Sequence, residues 1–147
     1  MRVNGEWLEC DDGVIRPGIP GFVRAPDGKM IEVIFLLDAG ADRTVLNSRF
    51  LYILQSLATT ETEQIHLAGV GGEVDSITVH TVVGFMRDNG QLVTVRGAFG
   101  VFTLSESSEM SVLGRDVTNN FDVIYSFPRR EVMLLAPSHS YQVQHPS

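Results

Sequence analysis

Residues 31–46 read IEVIFLLDAGADRTVL, an apolar run that stops at an aspartate. Residues 31–37 are rich in branched and aromatic side chains and too few for a typical helix, so they predict a buried strand. Asp38-Ala39-Gly40 predicts a sharp turn, and Thr44-Val45-Leu46 a return to extended structure. Such a turn exposes the carboxylate of Asp38 together with nearby backbone N–H groups.

Taken alone, an Asp-x-Gly turn is weak evidence for chemistry. Asp11-Asp12-Gly13 and Asp88-Asn89-Gly90 carry similar triplets and are interpreted as plain turns. For Asp38 in isolation, the turn is favoured over a catalytic role. The surrounding motifs therefore decide the interpretation.

The rest of the chain predicts a mostly β architecture. Asn47 is a helix cap before a short helix that runs to about Leu57. A helical turn is expected over Val117–Asn120. Strands are expected on either side of a glycine-rich turn, in a hairpin across an Asn-Gly pair and in a closing hairpin, over residues 65–68, 73–83, 92–102, 121–127 and 131–135.

Composition and charge exclude several partners. The chain has 147 residues and a net charge of −7, with no run of Lys or Arg that would bind nucleic acid or an anionic membrane. No apolar run approaches the roughly 20 residues that span a bilayer. Cys10 is the only cysteine, so no intrachain disulfide forms and a cytoplasmic location is expected. We expect one domain, residues 18–136, after an N-terminal extension (1–17) and before a polar tail (137–147).

Other kinds of catalytic site find little support in the sequence. The four histidines share no metal-ligand spacing, no serine stands in a nucleophile elbow, and nothing near Cys10 indicates an activated thiol. We therefore expect neither a metal nor an organic cofactor.

Three motifs in order give the sequence its family resemblance. Leu36–Asp42 with Thr44–Leu46, Leu67–Gly72 and Val112–Asp116 resemble the active-site strand and loop, the flap, and the apolar-apolar-Gly-Arg-Asp/Asn segment of retropepsin-like aspartic peptidases. The similarity covers roughly residues 18–135. The closing hairpin makes the chain more similar to the cellular and bacterial members than to the compact viral enzymes.

The resemblance implies a fold and a set of site residues. Each chain would form a closed β-barrel with one or two short helices. Two chains would together make an acid protease that is active as a two-fold dimer. Asp38 would be catalytic, in a loop with Ala39, Gly40, Ala41 and Asp42. Arg115 would brace that loop through Asp42 or Asp116, and the flap tip would comprise Gly69, Val70, Gly71 and Gly72.

The implied activity is endopeptidase cleavage of an extended peptide by a homodimer, because one chain supplies only one aspartate loop. Ala39 departs from the family, which has Thr or Ser there, and so removes a hydroxyl that bonds across the dimer. Ala39 is compatible with natural variation, with an engineered substitution or with a step toward a catalytically weakened peptide-binding dimer. The glycine-rich turn also fits an ordinary exposed hairpin, and a structural β-protein without a cleft is the third hypothesis.

Overall fold

The fold consists of short helices set among many strands. The computed structural model describes residues 1–59, 65–69, 72–104, 110–136 and 142. Helix α1 is Leu51–Leu54, between 3-10 turns at Ser48–Phe50 and Gln55–Leu57, and helix α2 is Arg115–Thr118. The strands are β1 Arg2–Asn4, β2 Glu6–Glu9, β3 Ile15–Arg24, β4 Met30–Leu37, β5 Val45–Leu46, β6 Ile65–Gly69, β7 Gly72–Met86, β8 Leu92–Phe102, β9 Ser111–Leu113, β10 Asp122–Ser126 and β11 Glu131–Leu135.

The strands form a large sheet and a small one. The large sheet has the order β2-β3-β4-β9-β5-β8-β7-β6, and an additional β3–β7 pairing closes six of these strands, β3, β4, β9, β5, β8 and β7, into a barrel. The small sheet has the order β1-β11-β10. The predicted mostly β architecture with few helices is confirmed.

Alternation along the strands places one face of each in the barrel. In β4, Val33 and Phe35 are buried while Glu32 and Ile34 are exposed, as the two-residue period of a strand requires. The Phe35 ring packs against Phe85 of β7 with centroids 6.0 Å apart. The apolar core therefore lies directly beneath the strand that ends immediately before Asp38.

The helical segments begin near the predicted residues. The Asn47 side chain accepts a hydrogen bond from the Arg49 amide at 2.9 Å, which confirms the predicted cap, and the helical segment ends at Leu57. Helix α2 begins at Arg115, two residues before the predicted Val117. The reason is that Gly114 is extended and its carbonyl accepts from the Val117 amide at 3.2 Å.

The N-terminal residues belong to both sheets. Strand β1 pairs with β11 and β2 pairs with β3, so residues 1–17, expected as an extension, supply strands to the fold. The hairpin between β7 and β8 turns at the predicted Asn-Gly pair, with Gly90 at φ +84°. Of the expected polar tail, 137–141 and 143–147 lie outside the described residues. Within the part of the chain that the structure describes, no helix is long and apolar enough to cross a bilayer.

Candidate active site

Asp38 stands in a tight turn immediately after β4. Its amide donates to the Leu113 carbonyl at 3.2 Å, and its carbonyl accepts from the Ala41 amide at 3.1 Å. Its carboxylate oxygen Oδ1 accepts from the Gly40 amide at 2.9 Å, and the residue is solvent exposed. The backbone thus fixes the carboxylate while leaving Oδ2 free of any hydrogen bond that the described residues show.

Strand β9 anchors this turn from below. It lies between β4 and β5, parallel to β4 with Val112 beside Leu36, and antiparallel to β5 with Val112 beside Val45. The two strands that enter and leave the Asp38 loop are therefore separated by a third strand. This arrangement holds the loop ends apart, so the loop can present its aspartate at the sheet end.

Gly114 allows a close crossing between the two loops of the site, which are the Asp38 loop with the residues up to Thr44 and a second loop formed by Gly114–Asp116. A Cβ atom at this position would lie 2.4 Å from the Arg43 carbonyl carbon, closer than any real contact, so the backbone there needs glycine. The close approach lets the Arg115 amide donate to the Ala41 carbonyl at 2.9 Å, and the Asp116 amide donate to the Asp42 backbone carbonyl at 3.2 Å. The requirement is for space, because Gly114 has an ordinary φ of −93°.

Thr44 and Asp116 form the polar centre of this crossing. The Thr44 hydroxyl donates to Asp116 at 2.7 Å and accepts from the Gly114 amide at 3.0 Å. The Thr44 amide also donates to both Asp116 carboxylate oxygens, at 2.9 and 3.0 Å. Thr44 is fully buried. The sequence motifs assigned no role to Thr44, because its partner Asp116 lies 72 residues further along the chain.

Arg115 contacts the Asp38 loop from the outside. It forms an ion pair with Asp42 and donates to the Ala39 carbonyl at 3.3 Å. Of the two partners that the sequence suggested, Asp42 is the one in contact, while Asp116 binds Thr44. The Arg115 and Asp42 side chains are 49% and 80% exposed, so the pair is worth about 0–1 kcal/mol.

Ala39 is exposed between these groups and brings only a methyl side chain. Its polar contact in the described residues is through its carbonyl, which accepts from Arg115. A hydroxyl at this position would add a donor and an acceptor at the solvent face of the loop. The methyl side chain of Ala39 can therefore make no hydrogen bond.

The glycine-rich hairpin is present as two paired strands. Strands β6 and β7 are antiparallel, with Gly69 opposite Gly72 at the end of the ladder. Val70 and Gly71, which were predicted at its tip, lie outside the described residues. Arg43, next to the Asp38 loop, donates to the Ala98 carbonyl at 3.0 Å.

Other candidate groups lie away from this site. In the described ranges, no group of three or more His, Cys, Asp or Glu side chains could hold a metal ion. Cys10 contacts the Met110 sulfur at 3.9 Å. A surface groove of about 430 Å³ borders β4 and α1 but shares no residue with the Asp38 loop.

Comparison with solved structures identifies the fold. A retropepsin-like aspartic protease from Rickettsia conorii matches with a TM-score of 0.59 and 16% identity over 91% of this chain and 89% of that chain. The retroviral protease-like domain of Ddi1 from Leishmania major matches with a TM-score of 0.52 and 18% identity over 85% and 98% of the two chains. No family model and no curated protein sequence matches. The chain therefore has a retropepsin-like fold.

Proposed function

We propose that this chain is an aspartic endopeptidase that uses two Asp38 carboxylates, one from each subunit of a homodimer. The proposal is carried by one observation. In a retropepsin-like fold, Asp38 is exposed at the end of a buried strand, with its backbone tied to Leu113 and its Oδ1 to Gly40. A simple turn in a structural β-protein would not need the additional hydrogen bonds that the Arg115 and Asp116 amides donate to the Asp38 loop.

The chemistry follows from bringing two such carboxylates together. Two carboxylates at hydrogen-bonding distance share one proton, because ionising both is costly. The ionised member takes a proton from a water molecule as that water attacks the peptide carbonyl, and the protonated member donates to the developing oxyanion. Within one chain, the Gly40 amide donates to Oδ1 of Asp38 and so orients the carboxylate. No cofactor takes part in this mechanism.

The substrate class follows from the strands that surround the loop. An extended peptide can bind through its backbone groups between the Asp38 loop and the β6–β7 hairpin, which is the proposed flap. The glycines at the end of this hairpin would let its backbone approach the peptide. The peptide side chains would then occupy apolar pockets on alternate sides, because an extended chain has a period of two.

A second candidate is a peptide-binding dimer with weak or no catalysis, and Ala39 is the observation that favours it. Without a hydroxyl at residue 39, one hydrogen bond across the dimer is missing from each subunit. Each missing bond lowers the stability of the dimer by about 0.5–1.5 kcal/mol. The total of about 1–3 kcal/mol corresponds to roughly 5- to 150-fold in dimer affinity. The two carboxylates would remain, but their alignment would be less constrained.

The test compares cleavage of a peptide library by the natural chain, Asp38→Asn and Ala39→Thr. The endopeptidase predicts cleavage by the natural chain, none by Asp38→Asn, and faster cleavage by Ala39→Thr at low protein concentration. The binding dimer predicts no cleavage by the natural chain but tight peptide binding that survives Asp38→Asn. Cleavage that persists in Asp38→Asn, free of contaminating protease, moves the catalytic group elsewhere.

A further inference from the structure

Strand β4 has an uncovered edge beside α1. Strand β9 begins at Ser111, opposite Phe35, and among the described residues no other strand lies along that side of β4. Residues 31–34 of β4 line one side of the surface groove of about 430 Å³, and the other side is lined by Arg49, Phe50 and Ile53. Unpaired strand edges are templates for pairing with another chain.

The register of the β3–β4 hairpin shows which backbone groups this edge offers. The Ala25 amide donates to the Lys29 carbonyl at 2.8 Å, and hydrogen-bonded pairs recur at every second residue of an antiparallel ladder. The even-numbered residues of β4 consequently direct their N–H and C=O groups away from β3. Strand β9 begins beyond Ile34 and can occupy only its carbonyl. The Glu32 N–H and C=O and the Ile34 N–H therefore face the groove, and the described residues supply no partner for them.

The groove fits the apolar side chains of an extended segment. Ile34 is 44% exposed on β4, Ile53 is 38% exposed on α1, and the buried Phe50 also lines the groove. Side chains of a strand alternate, so a residue opposite Ile34 would pack on the outer face of β4 and the next residue would point into the groove. The groove therefore favours two successive apolar residues.

Glu32 adds a charge preference to this groove. It is exposed and forms no ion pair with the described residues, and the whole chain carries a net charge of −7. A basic residue opposite Glu32 would form a cross-strand pair of opposite charge. On the other side, the Arg49 guanidinium stacks 4.8 Å from the centre of the Phe50 ring, so a second basic residue would meet a like charge. The complementary segment therefore carries one basic residue.

We propose that the β4 edge is a docking site for an extended segment of a partner protein, which pairs antiparallel with residues 30–34. The segment carries two successive apolar residues followed by a basic one, placed opposite Ile34, Val33 and Glu32 in turn. Antiparallel pairing lets the basic residue exchange both backbone hydrogen bonds with Glu32. Glu32 lies about 20 Å along the strand direction from Asp38, so this site is separate from the proposed cleft and goes beyond the proposed function.

A short peptide tests the site on the full chain carrying Asp38→Asn, a background that prevents cleavage of the probe. The probe is acetyl-Val-Val-Lys-Val-Thr-amide, whose first residue would lie opposite Ile34 and whose lysine would lie opposite Glu32. We expect saturable binding at millimolar peptide or below. The amide chemical shifts that change in NMR spectra should centre on Glu32, Ile34 and Ile53.

Backbone methylation of the probe tests the strand pairing. Methylating the lysine backbone nitrogen removes the N–H that the Glu32 carbonyl would accept, and should weaken binding by roughly 10-fold. The nitrogen of the following valine points away from β4 in this register. Methylating that nitrogen is the matched control, and it should change the affinity by less than about twofold.

Charge reversal tests the position of the basic residue. Glu32→Lys should weaken binding of the lysine probe by roughly 5- to 30-fold, and a probe with glutamate in place of lysine should bind this variant better than its parent. Glu9→Lys makes the same change of charge at an exposed glutamate of the edge strand β2, and should leave binding unchanged. Circular dichroism checks that each variant is folded.

Three outcomes would overturn the proposal. Without saturable binding at millimolar peptide, or with shift changes that centre on the Asp38 loop, β4 is not the docking site. Equal losses in Glu32→Lys and Glu9→Lys would move the site away from the β4 edge. Lysine N-methylation without effect would exclude the antiparallel pairing. Because Asp38 takes no part in this binding, the result does not depend on whether the natural chain cleaves peptides.

Discussion

Replacing Thr44 by valine removes the hydroxyl that joins the two loops of the candidate site, with little change in side-chain volume. The hydroxyl donates to the Asp116 carboxylate at 2.7 Å and accepts from the Gly114 amide at 3.0 Å, in a fully buried position. In Thr44→Val, the Gly114 N–H loses its acceptor. The Asp116 carboxylate keeps only the donation from the Thr44 amide among these bonds.

The expected loss of stability is the sum of these changes. A hydrogen bond to a charged group contributes about 1.5–3 kcal/mol, and a buried N–H left without an acceptor costs about 1–3 kcal/mol. The additional apolar group of valine returns about 0.8 kcal/mol. The net loss is about 2–5 kcal/mol, or about 4–20 °C in Tm for a chain of this size.

Urea and thermal unfolding at one fixed protein concentration measure this loss, because dimerisation makes the apparent stability depend on concentration. The matched control is Thr94→Val, the same substitution at an exposed position of β8. We expect the control to change stability by less than about 0.5 kcal/mol. If Thr44→Val loses no more stability than the control, the hydroxyl does not hold the two loops together.

Three further substitutions test other parts of the site. Arg115→Met should cost less than about 1 kcal/mol in urea unfolding, because its ion pair with Asp42 is exposed; a loss comparable to that of Thr44→Val would contradict this ranking. Gly114→Ala should destabilise the fold by about 1–3 kcal/mol or more, since its Cβ would overlap the Arg43 backbone, and an unchanged unfolding midpoint would rule out the close crossing. Ala39→Thr should tighten the dimer by about 1–3 kcal/mol in sedimentation and raise cleavage mainly at low concentration; no change in either would mean that residue 39 does not meet the partner loop.

Local patterns in the sequence predicted much of the fold. The run before Asp38 specified β4, the Asn-Gly turn specified the β7–β8 hairpin, and Asn47 specified the start of the helical segment. These features depend on residues close together in the chain, so alternation and capping reveal them. The role predicted for the Asp38 loop, in contrast, came from the resemblance of three motifs in order, because the Asp-x-Gly turn alone favours a plain turn.

Local sequence patterns could not predict contacts between residues that are far apart in the chain. Strand β9 has three residues, and its place between β4 and β5 depends on pairing across more than sixty positions of the sequence. The hydrogen bonds between Thr44 and Asp116 span a similar separation, 72 residues. Only the family resemblance connected the Asp38 loop with Gly114–Asp116. It implied that Arg115 braces this loop, and it implied no role for Thr44.

The central claim, that two copies of Asp38 form one active site, is tested most directly by mixing the natural chain with Asp38→Asn. Total protein concentration is held constant where both chains are dimeric, subunits are allowed to exchange, and cleavage of a peptide found in the library screen is measured. If each active site needs two Asp38 carboxylates, activity follows the square of the natural fraction, so an equal mixture retains about one quarter of the activity. A linear decline, with about one half retained, would show that one chain carries a complete site and would contradict the account.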